Sequence, residues 1–190
     1  MSEQKNKINV GSIVNITFRL FIVCTIIAIV VAGVNALTKD KIAENEQNVV
    51  NNTIREVFQN GDISEIKADI GQDSSVNAVY KISDTKDKSI LGYSVICAPK
   101  GFGGEVKMMV AFDSEKTVSA VKIMSHSETP GIGNKIENNN HPEFTEQFSG
   151  KKFELEFGKD GIDKISGSSK SSKAVLKGVN DAIKAVAKVK

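Results

Sequence analysis

Residues 105–124 read Glu-Val-Lys-Met-Met-Val-Ala-Phe-Asp-Ser-Glu-Lys-Thr-Val-Ser-Ala-Val-Lys-Ile-Met. Two β-like runs, 105–112 and 117–124, flank the polar turn Asp113-Ser114-Glu115-Lys116. So short a link joins neighbouring antiparallel strands, because a parallel pair needs a long crossover. The same grammar extends upstream. Residues 76–82 alternate, with Val76, Ala78, Tyr80 and Ile82 on one face, residues 84–88 form a charged turn, and residues 90–98 are another β-like run ended by Pro99. An antiparallel meander follows. Residues 152–157 alternate again, with Phe153, Leu155 and Phe157 on one face, and read as a further strand.

Helical patterns lie on both sides of the meander. Between residues 40 and 58, Ile42, Val49, Val50, Ile54, Val57 and Phe58 fall mostly on one helical face, and Gly61 follows as a stop. Residues 60–75 are polar and turn-rich. Pro142 suits the first turn of a short helix at 142–148, with Gly150 beyond its end. From 172 to 189, Val175, Leu176, Val179, Ile183 and Val186 form an apolar stripe, and the lysines lie mostly off it. The expected fold class is α+β: a mostly antiparallel sheet domain with flanking helices.

Residues 20–38 carry no charge. As a helix they span roughly 28 Å, close to the hydrocarbon thickness of a bilayer. Lys5, Lys7 and Arg19 precede the run, and Lys39 and Lys41 follow it beside Asp40, Glu44 and Glu46. This slight bias favours an N-terminus inside the cell and the remaining chain outside. A cleaved signal peptide competes, with Val34-Asn35-Ala36 as its cleavage site. The apolar run is longer than the usual 7–15 residues of a signal-peptide core, which favours a retained transmembrane helix. The expected organisation is a cytoplasmic stub and anchor at 1–38, a helical connector at 39–75 and a sheet domain at 76–190. The expected location is the cell membrane, single-pass, with the C-terminal domain extracytoplasmic.

Composition excludes several classes. A net charge of +2 over 190 residues gives no electrostatic basis for nucleic-acid binding. Cys24 and Cys97 lie in unlike contexts and form neither a disulfide framework nor a metal-ligand spacing. His126 and His141 are the only histidines, too few for a histidine-rich metal site. A serine hydrolase built on Ser166 or Ser169 with His126 lacks a Gly-x-Ser-x-Gly elbow.

Three loops are rich in glycine or hydroxyls: Gly101-Phe102-Gly103-Gly104, residues 125–136 (Ser-His-Ser-Glu-Thr-Pro-Gly-Ile-Gly-Asn-Lys-Ile), and residues 163–172 (Asp-Lys-Ile-Ser-Gly-Ser-Ser-Lys-Ser-Ser). Glycine permits positive φ and close backbone approach. Pro130 fixes its own φ and holds Thr129 extended. Hydroxyls entering a helix, with free N–H groups and the positive end of its dipole, can hold a phosphate. Each loop alone is an ordinary turn; three in one small domain suggest a ligand cradle.

In this order, the three motifs, with Phe144, Phe148 and Gly150 between the second and third, resemble the FMN-binding domain of the RnfG subunit of the Rnf electron-transport complex. A related subunit of the sodium-pumping NADH:quinone reductase shares that domain. The resemblance runs from about Tyr93 to the C-terminus, and the single N-terminal anchor fits it. It implies a flavoprotein of electron transport, in a membrane translocase that moves electrons between ferredoxin and NAD and couples this to ion transport. The chain is expected to carry electrons there rather than to catalyse alone. In the family, a pattern Asp-x-x-Ser/Thr-Gly-Ala-Thr is esterified to FMN by a separate flavin transferase. It maps onto Asp163, Ser166 and Gly167; the family's Ala falls on Ser168, and its acceptor Thr on Ser169. The resemblance thus implies FMN linked at Ser169, with serine replacing threonine. It also places Thr129, Pro130 and Gly131 near the flavin ring. Lys135 reads equally as a phosphate counter-charge or a solvated lysine. Glu128 is carried as part of the site, and His126 reads first as a hydrogen-bonding residue. The implied partners are the other membrane subunits, the flavin transferase and membrane lipid, with no nucleic acid. The alternative is a stand-alone membrane-anchored flavoprotein for extracytoplasmic electron transfer.

Overall fold

The computed structural model describes residues 10–59, 61–66, 71 and 74–189. Helix α1 (Val10–Val57) is followed by strands β1 (Gly61–Ile66), β2 (Val76–Asp84), β3 (Ile90–Cys97), β4 (Val106–Asp113) and β5 (Val118–His126). A 3₁₀ turn (Gly133–Ile136), α2 (Pro142–Glu146) and α3 (Ser169–Ala187) complete the order. Two compact units result, Met1–Gln47 and Asn48–Lys190. The last turns of α1 therefore count with the sheet, as does β1.

In the first unit, the apolar stretch is hydrophobic all round. Phe21, Ile27, Ile29 and Val31 are all more than half exposed. The most apolar 18-residue window of this helix has a mean hydropathy of 2.7, with none of it buried in protein. Thr25 and Thr38 donate their hydroxyls to the carbonyls of Phe21 and Val34, both at 2.8 Å. That back-bonding satisfies hydroxyl donors that an apolar environment would leave unpaired. By length and composition, this is the one helix among the described residues able to cross a membrane.

The second unit is a five-stranded meander in the order β1-β2-β3-β4-β5, antiparallel throughout. One face carries Val79, Val95, Cys97, Met108, Val110 and Phe112 against Val175, Val179, Ala182 and Val186 of α3, with Phe144 and Phe148 at the side. The two phenylalanines meet edge to face, centroids 5.6 Å apart. The other face carries Tyr80, Ile82, Ile96, Met109 and Ala111 against Val50 and Ile54 of α1. Each fully buried large apolar side chain contributes about 1.5–3 kcal/mol, so the sheet is a rigid support between its helices.

Four sequence expectations need correction. Residues 61–66 form β1 rather than part of a turn-rich connector. Their pattern is mostly polar because β1 is an edge strand, with Ile63 and Ile66 as its apolar contacts. Val76 does not share a face with Tyr80 and Ile82. An irregularity between Val76 and Ala78 turns it to the α3 side. Residues 152–157 form no strand. Leu155 makes its ladder-like pair with the side-chain amide of Asn180 on α3, through its N–H and its C=O, both at 2.9 Å. Phe153 points away, 78% exposed. Finally, α3 begins at Ser169, three residues before the apolar stripe predicts.

Asp181 ties α3 to the start of β2. Its Oδ2 accepts from Ser75 N–H (2.8 Å), Ser75 Oγ (2.7 Å) and Lys177 Nζ (2.6 Å). Burial alone would raise its pKa, but these donors outweigh burial and hold it below the ordinary carboxylate value. A depressed folded-state pKa contributes stability that is complete above the unfolded value near 3.9 and lost as pH falls through the folded one. Acid titration of thermal stability is therefore expected to be shallower in Asp181→Asn than in wild type below about pH 4. Identical acid limbs would refute this role. The nearby Cys97 thiol is fully buried, and burial, reinforced by Asp181, pushes its pKa well up. It stays a thiol at neutral pH.

Candidate functional site

The three glycine- and hydroxyl-rich loops converge at the N-terminus of α3, and one side chain holds them together. Glu128, 6% exposed, follows β5. Its Oε1 accepts from the backbone N–H of Phe102 (2.7 Å) and of Gly103 (3.2 Å). Its Oε2 accepts from Ser171 Oγ in the first turn of α3 (2.7 Å). The carboxylate thus bonds one loop 26 residues away and a helix 43 residues away. Its neighbours leave no room for side chains. A Cβ at Gly101 or at Gly133 would collide with the Glu128 carboxylate. The glycines are required here by close packing around a carboxylate as much as by any ligand.

The loop 129–136 folds on itself. The Thr129 carbonyl accepts from the N–H of Gly133 (2.9 Å) and of Ile132 (3.2 Å). His126 leaves the cluster: its Nε2 meets Glu137 Oε1 at 2.7 Å, and its Nδ1 accepts from the Glu128 N–H at 3.2 Å. With both ring nitrogens so engaged, His126 activates neither Ser166 nor Ser169, and the hydrolase arrangement does not form. Asn138 closes the outer edge of β5, accepting from Ile123 N–H and donating to Val121 C=O.

A cavity of about 220 Å³ opens between these loops, lined by Glu128, Thr129, Gly133, Gly167 and residues 168–171, with Phe102 and Ile132 at its rim. The N–H of Ser172 makes the first hydrogen bond of α3, to Ser168 C=O at 2.9 Å. The N–H groups of Ser169, Lys170 and Ser171 precede it, and such groups have no partner within a helix. The Ser168 hydroxyl is buried and has no hydrogen-bond partner among the described residues. Ser169 is exposed. Lys170 Nζ sits 5.1 Å above the Phe102 ring centroid, a cation–π contact at the rim. Gly167, with φ +79°, makes the turn that delivers the chain into α3.

Of the residues expected at the site, Glu128, Thr129, Gly167, Ser168 and Ser169 come together around this cavity. Pro130, Gly131, Lys135, Asp163 and Ser166 lie outside its wall. Asp163 is exposed, its backbone held by the Gln147 amide. Lys170 and Ser171 were missed by the pattern, although the signal was present. Ser171 lies three residues after Ser168, one helical turn on. The residues fit a phosphate: the leading N–H groups of α3, a buried hydroxyl with no partner among the described residues and a nearby ammonium belong to residues lining one small space, while both Glu128 oxygens are already occupied by donors. Among the described residues, no group of three or more His, Cys, Asp or Glu is placed to hold a metal ion.

The family profile for the FMN-binding domain matches residues 101–184, and that for the RnfG N-terminal region matches residues 1–57. The G subunit of the proton-translocating ferredoxin:NAD(+) oxidoreductase complex of Clostridium ljungdahlii is 31% identical, over 93% of this chain and 92% of its own. Its Na(+)-translocating counterpart from Acetobacterium woodii is 28% identical over 95% and 96%. The crystal structure of Shewanella oneidensis NqrC aligns at 22% identity and TM-score 0.44, covering 62% of this chain and 61% of that one. The chain belongs to the RnfG family, the G subunits of ion-translocating ferredoxin:NAD oxidoreductase (Rnf) complexes.

Proposed function

We propose that this chain carries one FMN, esterified through its phosphate to Ser169, and passes electrons between partner subunits of a membrane ion-translocating oxidoreductase. The observation that carries the reading is the cavity at the N-terminus of α3, where an exposed Ser169 hydroxyl stands beside the leading N–H groups of the helix and a buried Ser168 hydroxyl with no partner among the described residues, inside the region matching the FMN-binding domain. The remaining sheet domain lies on the outer face of the membrane, as the N-terminal lysines favour.

The cavity is smaller than the ~300–1,000 Å³ pockets that enclose a drug-sized ligand. Its lining would hold the phosphate end of the flavin, and its rim, where Phe102 and Ile132 are 66% and 54% exposed, is open to partners. An accessible ring is what an electron carrier needs and a substrate-enclosing enzyme does not. When bound, the flavin supplies the redox chemistry. The protein's part is to fix the phosphate, hold Lys170 near it and keep the three loops in register through Glu128. Attachment breaks the Ser169 Oγ–H bond and forms an Oγ–P bond, with departure of the leaving group of an activated flavin phosphoanhydride. A flavin transferase supplies that donor and removes the proton.

The test is to produce the full chain with a flavin transferase and with its neighbouring membrane subunits. The expected product is a yellow protein, bleached by dithionite and recoloured by air, that co-purifies with those subunits. A yellow chain that never co-purifies favours the stand-alone membrane flavoprotein. A colourless chain overturns the flavin reading.

A further inference from the structure

We propose that the Ser168 hydroxyl is a noncovalent ligand of the flavin phosphate, with a role separate from that of the Ser169 acceptor. This rests on the flavin reading above. Ser168 is the N-cap residue of α3, 2% exposed, and it makes no side-chain capping bond. A serine in that place ordinarily accepts from the N–H two or three residues on. Here its Oγ has no partner among the described residues, although the residue lines the cavity. A buried hydroxyl without a partner costs free energy, which a ligand accepting from it would recover.

Its surroundings select the ligand's chemistry. The N–H groups of Ser169, Lys170 and Ser171 stand in the same turn, ahead of the first helical hydrogen bond. The helix dipole adds positive potential there. A staggered step about χ1 redirects the Oγ without moving the backbone. An oxygen of a phosphate seated on the helix end then accepts from it, in the shorter and stronger bond of a charged acceptor. Ser94 provides an internal control. It is the other buried side chain with an unpartnered oxygen among the described residues, and it lies in β3, outside this cavity.

The experiment uses the full chain in detergent, carrying Ser169→Ala so that no ester forms. FMN and riboflavin, which lacks the phosphate, are titrated by flavin fluorescence, and the thermal midpoint is measured without ligand. Adding Ser168→Ala is expected to weaken FMN binding about tenfold. Riboflavin binding should not change, and the ligand-free midpoint should hold or rise because an unbonded buried hydroxyl is removed. Ser94→Ala is expected to leave both affinities unchanged. Unchanged FMN affinity overturns the proposal, as does a parallel loss of FMN and riboflavin, which indicates a deformed cavity. A lower ligand-free midpoint with intact FMN affinity also overturns it, by marking Ser168 as an ordinary helix cap. If the Ser169→Ala parent binds neither flavin, this assignment fails, whereas the flavin reading fails only if the wild-type chain made with a flavin transferase stays colourless.

Discussion

Ser169→Ala, produced with a flavin transferase, is expected to lose all flavin fluorescence that survives denaturation, while the wild-type chain keeps it through a denaturing gel. The loss should be complete because the ester needs an oxygen nucleophile and alanine supplies none. The fold should be untouched. Ser169 is the first residue of α3 and exposed, its side chain makes no hydrogen bond among those described, and substitutions at such sites change stability by less than about 0.5 kcal/mol. Ser169→Thr should retain attachment, since it restores the hydroxyl with a stiffer χ1. Ser166→Ala should retain it too, because Ser166 is exposed and lies outside the cavity wall. Persistent fluorescence in Ser169→Ala, with loss in Ser166→Ala, would move the acceptor three residues upstream.

The second large effect is expected at Glu128. Glu128→Ala removes the acceptor for two backbone N–H groups and for the buried Ser171 hydroxyl at once. Hydrogen bonds to charged groups contribute about 1.5–3 kcal/mol each, and they do not add when they share one carboxylate. A loss on the order of 3 kcal/mol is expected in chemical denaturation, a large part of a domain's ~5–15 kcal/mol. Flavin loading should fall with it, because the loop 101–104 and the start of α3 lose their common anchor. Glu128→Gln separates the two effects. Its amide oxygen still accepts from Phe102 and Gly103, and its NH₂ donates to Ser171 Oγ once that hydroxyl turns. It should lose about 1 kcal/mol and keep most of its flavin. Equal damage from Gln and Ala would mean that the negative charge, rather than the bonding pattern, is what the site requires.

Glu128 also illustrates what a sequence can and cannot disclose. The meander was legible because β2 to β5 are apolar-rich, β-like runs, with short polar turns between β2 and β3 and between β4 and β5, and α3 because its apolar stripe repeats at helical spacing. β1 was not. An edge strand needs little apolar surface, and Gly61-Asp-Ile-Ser-Glu-Ile reads as a polar loop. The alternation of Phe153, Leu155 and Phe157 misleads for the opposite reason: the backbone there is extended, but its partner is the Asn180 side chain rather than a strand. At the site, Thr129 and residues 167–169 stood out through glycine and hydroxyl content. The role of Glu128 did not, because nothing local announces that a loop and a helix far along the chain end on its two oxygens. Asp163 and Ser166 belong to the same motif, yet both are exposed and stand outside the cavity wall.

The relatives named for protons and for Na(+) both align along nearly the whole chain. Nothing in the cavity distinguishes the two ions, as expected of a domain whose proposed work is to carry electrons.

Peptide mapping of the full chain made with a flavin transferase tests the central claim most directly. Trypsin cuts after Lys164 and Lys170, so Ser166, Ser168 and Ser169 lie on one peptide and Ser171 and Ser172 on the next. The expected result is that the first peptide gains the mass of one FMN less one water, and that fragmentation places it on Ser169. An unmodified peptide pair, or flavin on Ser171 or Ser172, would contradict it.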